Sequence, residues 1–125
     1  MKIMRPLFHP QVDDIRLEAI LHALSDPARA AIFTQVASAD CPQTCTALAG
    51  GVDQAIPKST LSQHFKVLRE AGLVRSERKG VELHNTSRHA DLHERFGPLI
   101  SAIITAHTAQ YDRQQRAKRA RRGKA

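Results

Sequence analysis

The chain has 125 residues, of which 42% are hydrophobic and 4% aromatic, and a net charge of +7. This length fits one domain of about 100–150 residues and argues against a two-domain enzyme. No apolar run approaches the ~18 residues of a membrane span, and residues 1–10 hold no apolar stretch of signal-peptide length. We therefore expect a cytoplasmic protein with no membrane partner.

The positive charge has two sources. Residues 113–125 hold seven basic residues and no acidic residue, whereas residues 1–112 hold twelve of each kind. Within that neutral part, residues 58–79 carry a local excess of four positive charges. We predict a flexible leader over residues 1–9, a folded domain over residues 10–112 and a basic disordered tail over residues 113–125.

Hydrophobic periodicity and helix-start signals predict four helices in the first part of the chain. Asp26-Pro27 combines an N-cap with a proline suited to the first helical position, and Asp40-Cys41-Pro42 repeats this pattern. Gly50 and Gly72 can supply C-terminal caps. The predicted helices cover approximately residues 10–24, 27–37, 42–49 and 57–71.

The period of the apolar pattern changes to two after Gly72. This alternation predicts a β-hairpin over residues 73–86 with a basic turn at residues 77–80. Val81 and Leu83 would share one face of that hairpin.

A last helix is predicted to open at Gly97-Pro98, after a short helical turn that contains Leu92 and Phe96. It carries more apolar surface than a monomer of this size needs, so we predict a homodimer that uses this helix and the first one. Its apolar side comprises Leu99, Ile100, Ile103, Ile104, His107 and Tyr111.

This order of elements is a winged helix-turn-helix: mainly α, with four helices, a small β-hairpin wing and a final helix. The fourth helix would be the recognition helix, because Leu61, Phe65 and Leu68 point inward and leave a polar face for the major groove of double-stranded DNA. Gln63 could pair with an adenine edge. The predicted contacts are Lys58, Ser59, Thr60, Ser62, Gln63, His64 and Lys66 on the helix, and Arg75, Arg78 and Lys79 on the hairpin.

Three other classes of function are an enzyme, a DNA-binding regulator without a sensor, and an RNA-binding module. The sequence contains no zinc-protease motif, Gly-rich phosphate loop or nucleophile motif, so we predict that the protein is not an enzyme. A winged-helix DNA-binding regulator with no small-molecule or metal sensor stays open. So does an RNA-binding module, although the chain lacks the exposed aromatic platforms of single-strand readers.

Three segments, residues 24–29, 59–74 and 77–80, resemble the ArsR/SmtB family of bacterial repressors, and the resemblance covers about residues 15–106. It implies a dimeric cytoplasmic repressor that associates with the nucleoid when it binds a palindromic operator near its own gene. It also implies release from the operator by a metal ion, a metalloid or an oxidant.

The chain departs from that family where sensing would be decided. Metal-sensing members often carry two cysteines where this chain has Thr44 and Thr46. A second family site lies on the last helix, but an isoleucine stands where a second histidine would belong. The candidate metal ligands there are Asp91, His93 and His107, and no cofactor beyond a soft metal or metalloid ion is predicted.

Cys41 and Cys45 are the remaining sensor candidates. If Cys41 is an N-cap and Cys45 lies one helical turn later, their sulfurs face the same side. This arrangement suits a reversible disulfide or a persulfide bridge. It also suits two ligands for an arsenite or zinc ion, which would need one more donor from elsewhere. The alternative is that Cys45 is a small core residue and Cys41 an incidental cap.

Overall fold

The computed structural model describes residues 7–39, 41–44 and 56–123. Within these ranges a 3-10 turn at Val12–Asp14 precedes four α-helices and a three-stranded antiparallel sheet. This architecture confirms the predicted winged helix-turn-helix. The helices are α1 (Leu17–Leu24), α2 (Pro27–Ser38), α3 (Lys58–Glu70) and α4 (His89–Arg122), and the strands are β1 (Gln43–Thr44), β2 (Val74–Lys79) and β3 (Glu82–Ser87).

Asp26 and Arg29 form the corner between α1 and α2. The Oδ1 atom of Asp26 accepts hydrogen bonds from the backbone N–H groups of Ala28 (2.8 Å) and Arg29 (3.2 Å), which caps α2 as predicted. Arg29 Nε donates to the carbonyl oxygen of Ala23 at 2.8 Å, near the end of α1. These two side chains therefore hydrogen-bond backbone N–H groups at the start of α2 and a backbone carbonyl near the end of α1.

The hydrophobic core lies between the helices and the inner face of the sheet. From α3 it receives Leu61, Phe65 and Leu68, as the sequence predicts, and each of them is at most 7% exposed. Burial of each such side chain stabilises the fold by about 1.5–3 kcal/mol. The other core side chains are Ile15, Ile20, Ala23, Ile32, Phe33, Val36, Ala71, Leu73, Val74, Leu92 and Ile100.

In the sheet, β3 lies between β1 and β2. Its central residue, Asn85, stands opposite Gln43 of β1 and Ser76 of β2. The hairpin turn consists of Gly80 and Val81, and Gly80 has φ +65°, the sign that a type II′ turn requires at its first loop position.

The hairpin strands are longer than predicted. Residues 77–79 belong to β2 rather than to the turn, because the two-residue turn moves the apex toward Val81. Val81 lies in the turn and is fully exposed, and it lines the same cleft beside α3 as Leu83.

The start of the domain also differs from the prediction. Helix α1 begins at Leu17, after an extended Arg16, rather than near Pro10. The carbonyl oxygens of Pro10 and Val12 accept hydrogen bonds from Arg88 (2.7 Å) and Arg95 (3.1 Å). The segment before α1 is therefore hydrogen-bonded to arginine side chains that follow β3.

The predicted third helix is contradicted at its start. Residues Gln43–Thr44 form β1 and pair with β3, which favours an extended backbone over the helix expected from Pro42. The rest of that predicted helix, with its Gly50-Gly51 cap, lies outside the described residues.

Helix α4 is the largest correction. It begins at His89, continues through Gly97-Pro98 and ends at Arg122, whereas the sequence predicts a new helix at residue 97. Leu92 and Ile100 are buried on either side of that dipeptide, so packing on the core outweighs its poor helix propensity.

The same helix crosses the predicted domain boundary at residue 112. Residues 113–122 are helical rather than disordered, consistent with their content of alanine, arginine, glutamine and lysine, which are good helix formers. None of the helices in the described ranges is long and apolar enough to cross a membrane.

Candidate DNA interface

Helix α3 presents a continuous polar face. The helix starts at Lys58 with Pro57 as its N-cap residue, one residue from the predicted start, and ends before Gly72, which has φ +85°. Because the apolar side of α3 is buried in the core, its opposite side faces solvent. Its exposed side chains include those of six predicted DNA contacts, Lys58, Ser59, Thr60, Ser62, Gln63 and Lys66, and Glu70 is exposed at the end of the helix.

His64 differs from the other predicted contacts on α3. It is half-buried, and it lies close enough to Asp26 at the start of α2 to influence that carboxyl group. Burial raises the pKa of Asp26, but the N–H groups of Arg29 and Ala28 and the charges of Arg29 and His64 outweigh it and leave the pKa below its ordinary value. His64 thus lies toward the helix-turn-helix corner.

The wing brings cations to both of its faces. Because side chains alternate along a strand, Arg75 and Lys79 lie on one face of β2 and Arg78 on the other. Arg78 lines a cleft of about 700 Å³ between α3 and the wing, together with Lys58 and Arg69 of α3. The two elements predicted to contact DNA are therefore adjacent, and the cleft between them combines three cations with Glu82 and apolar side chains.

Asp91 ties the base of the wing to the start of α4. Its Oδ2 atom accepts a 2.9 Å hydrogen bond from Nε of the buried Arg88 and lies 3.7 Å from Nη2 of Arg75. Arg88 also donates from Nη1 to the carbonyl oxygen of Pro10 at 2.7 Å. Arg75 is thus oriented by a carboxylate, although its side chain is still 56% exposed.

A second polar group connects the recognition helix to the sheet. The buried Ser76 hydroxyl donates to Oδ1 of Asn85 at 2.6 Å, and Nη1 of Arg69 lies 3.5 Å from the same hydroxyl. Asn85 has no exposed surface, and its Nδ2 group donates to the carbonyl oxygen of Leu83 at 3.4 Å. These hydrogen bonds from Arg69 to Ser76 and from Ser76 to Asn85 therefore link α3 to both strands of the wing.

The leader contacts the wing through His9. The backbone N–H of Ser76 donates to Nε2 of His9 at 3.0 Å, and Nδ1 lies 3.1 Å from the carbonyl oxygen of Leu7. Burial lowers the pKa of His9, and the positive charges of Arg75, Arg88 and Arg69 lower it further. His9 is consequently neutral and accepts at Nε2, so this part of the predicted flexible leader is docked.

Of the two cysteines proposed as a sensor, the structure describes only Cys41. Cys41 is exposed and lies in a bend before β1, so the prediction that it caps a helix was wrong, because Gln43–Thr44 are extended. Cys45 and Thr46 lie outside the described residues, whereas Thr44 is half-buried in β1.

The candidate metal ligands are separated within one chain. Asp91 is paired with Arg88, and His107 lies sixteen residues later on α4, about 24 Å along the helix axis. His93 instead neighbours His89, with ring centroids 5.6 Å apart. Within the described ranges no cluster of three potential metal-binding side chains occurs.

Sequence reasoning missed the residues that position the interface. Arg88, Ser76 and Asn85 are buried polar residues whose partners are distant in sequence or on a neighbouring strand. Polar side chains at inward positions of the two strands were the available signal, but they do not identify their partners.

Three comparisons with known proteins bear on this interface. A model of a helix-turn-helix domain matches residues 24–77, which include α2, α3 and the first part of β2. No curated protein matches the chain.

Two solved structures are similar to the chain. An ArsR-like transcriptional regulator from Rhodococcus sp. RHA1 is 25% identical, with a TM-score of 0.53 and coverage of 83% of this chain and 90% of its own. An ArsR family transcriptional regulator is 20% identical, with a TM-score of 0.53 and coverage of 80% and 90% respectively, and it supports the fold.

The matched domain includes the exposed face of α3, and the structural likeness extends over most of the chain. The resemblance noted in three sequence segments agrees with both findings. The chain is a DNA-binding helix-turn-helix transcriptional regulator that is similar to ArsR-like regulators.

Proposed function

We propose that the protein is a dimeric repressor that reads operator DNA with α3 and holds the flanking backbone with its wing. The observation that carries the proposal is the exposed polar and basic face of α3 beside the basic wing, with Lys58, Arg69 and Arg78 in the shared cleft. Helix insertion into the major groove supplies base readout, and arginines on the hairpin supply phosphate contacts.

Gln63 tests the reading role of α3. It is exposed near the middle of the helix and can donate and accept at an adenine edge. We expect Gln63→Ala to weaken binding to duplex DNA from upstream of the protein's own gene by about 1–3 kcal/mol, with little change on random DNA.

Fluorescence anisotropy measures both affinities. Gln110→Ala is the matched control, because Gln110 is an exposed glutamine on α4, away from α3 and the wing. Equal losses on both DNAs would remove Gln63 from the reading surface.

Dimerisation is proposed from exposed apolar side chains on the two helices at the ends of the chain. Leu17 and Leu21, one turn apart on α1, are 41% and 48% exposed, and Tyr111 on α4 is 39% exposed. Ile103 and Ile104 of α4 are only half-buried. A second copy that covers these groups would remove apolar surface from water.

We place the sensing function at Cys41 and Cys45, through thiol oxidation or a soft metal or metalloid ion. Support for a link to DNA binding comes from β1, which directly follows the Cys41-Pro42 pair and is hydrogen-bonded to β3 of the wing. A chemical change beside β1 would therefore act on an element that contacts the wing.

Diamide tests the thiol version. Two thiols would lose two electrons and two protons to the N=N bond of diamide as the disulfide forms. We expect diamide to release reduced protein from its promoter DNA, and Cys41→Ser protein to stay bound. Equal binding of oxidised and reduced protein would refute thiol switching, and titration with arsenite and zinc would then test the metal version.

The alternatives are separated by the same binding experiments. DNA binding that no oxidant, arsenite or zinc changes would indicate a regulator without a sensor. Preference for hairpin RNA over duplex DNA would indicate an RNA-binding module.

A further inference from the structure

Helix α4 extends beyond the rest of the domain. Nδ1 of His107 lies 3.4 Å from the Thr34 hydroxyl of α2, and beyond this contact the side chains of residues 108–122, except the half-buried Gln115, are exposed. This segment of fifteen residues is about 22 Å long. We call residues 113–122 the basic arm.

The basic arm holds six positive side chains and no negative one. Four of them are arginines at intervals of three residues. Each step rises about 4.5 Å along the axis and shifts about 60° around it, so the four form a row that winds around about half of the helix. The row consists of Arg113, Arg116, Arg119 and Arg122.

This row favours a polyanionic partner. Side chains three residues apart on a helix are neighbours, and like charges at that spacing destabilise the helix. A partner with closely spaced negative charges would relieve the repulsion. Arginine in particular can bind a phosphate group with two parallel hydrogen bonds.

The basic arm is remote from the wing. Asp91 at the start of α4 lies 3.7 Å from Arg75 of the wing. From Asp91, the row of arginines begins about 33 Å and ends about 46 Å further along the helix. A phosphate group bound at the basic arm would therefore differ from one bound at the base of the wing.

We propose that the basic arm is a second DNA-binding element, occupied by the phosphate backbone of duplex DNA outside the segment held by α3 and the wing of the same chain. This proposal rests on the proposed function in one respect, namely that the partner is duplex DNA. A helical arm holds its arginines in a fixed row, whereas a disordered tail would supply only mobile charge.

The test compares full-length protein with a variant in which all four arginines of the row are replaced by glutamine. Anisotropy with a 40-base-pair random duplex and with promoter DNA is measured over a range of salt concentrations. Because the outer arginines of the row lie on opposite sides of the helix, about two or three of the four can contact one DNA backbone. Each phosphate contact contributes about 0.9 to the slope of log affinity against log salt, so the variant should reduce the size of that slope by about 2–3.

Arg16→Gln is the matched control, because Arg16 is an exposed arginine before α1. We expect it to change the slope by less than one phosphate contact, about 0.9. Far-UV circular dichroism and thermal melting check that each variant folds.

The outcomes distinguish this proposal from the repressor proposal. If the four-arginine variant kept the wild-type salt dependence while Gln63→Ala lost promoter binding, DNA binding by the basic arm would be refuted. The repressor proposal would still stand. A lowered slope with unaffected Gln63→Ala would support the basic arm and count against reading by α3. Binding through the row that favours duplex RNA over duplex DNA would overturn the choice of partner.

Discussion

Gly72 joins the recognition helix to the wing, and replacing it should be costly for two separate reasons. Its φ is +85°, which an L-residue with a side chain rarely adopts. A Cβ atom at this position would also lie 2.5 Å from Cγ1 and 2.7 Å from Cδ1 of Ile15. Ile15 is 2% exposed, so it has little room to move.

Gly80 separates these two costs. It has φ +65°, but a Cβ there would have no neighbour within 4 Å. Gly80→Ala should therefore cost only the backbone term, about 1–2 kcal/mol. Gly72→Ala should cost that amount plus about 1–3 kcal/mol for overpacking against Ile15, which makes a total of about 2–5 kcal/mol.

Urea unfolding followed by circular dichroism measures both free energies of unfolding. In a double-mutant cycle, Ile15→Ala removes the atoms that clash, so the double variant Gly72→Ala/Ile15→Ala should be more stable than the sum of the single losses predicts by at least about 1 kcal/mol. If Gly72→Ala were no worse than Gly80→Ala, or if the cycle were additive, steric contact with Ile15 would be the wrong explanation.

Three further predictions concern the leader, the α2 cap and the dimer. The lowered pKa of His9 means that the unfolded chain binds its proton more tightly, so stability falls as pH drops through and below the ordinary histidine pKa. Between about pH 7.5 and pH 5, His9→Gln, which keeps an acceptor for Ser76, should lose less stability than wild type in urea, and equal losses would contradict this. Asp26→Ala should cost about 1 kcal/mol in the same assay at neutral pH. Because the native pKa of Asp26 is lowered, the stability lost in Asp26→Ala should decrease as the wild-type carboxyl protonates in acid. Asp26→Asn should lose almost no stability, since asparagine is an equally good N-cap. Leu21→Asp should give a folded monomer by sedimentation velocity, whereas an unchanged dimer would place the interface elsewhere.

The basis of the DNA interface was predictable because its signals are local. The spacing of Leu61, Phe65 and Leu68 determines which face of α3 is buried, and burial of that face leaves Gln63 exposed. Gly72 ends the helix because it accepts a positive φ, which is a property of that residue alone.

Elements whose local signals were weak or misleading were predicted less well. Gly97-Pro98 indicates a helix boundary by itself, but burial of Leu92 and Ile100 carries α4 across it. Pro42 indicates a helix start, but pairing with β3 gives Gln43–Thr44 an extended backbone.

The sequence by itself determined the winged helix-turn-helix order, the polar face of α3 and the location of the excess charge. Only the tertiary structure decided that His9 docks on Ser76 and that Arg88 binds Pro10, because these pairs are separated by 67 and 78 residues. Periodicity, capping and glycine conformation act over a few residues and can be read from the chain, whereas such partners are selected by the packing of the whole domain.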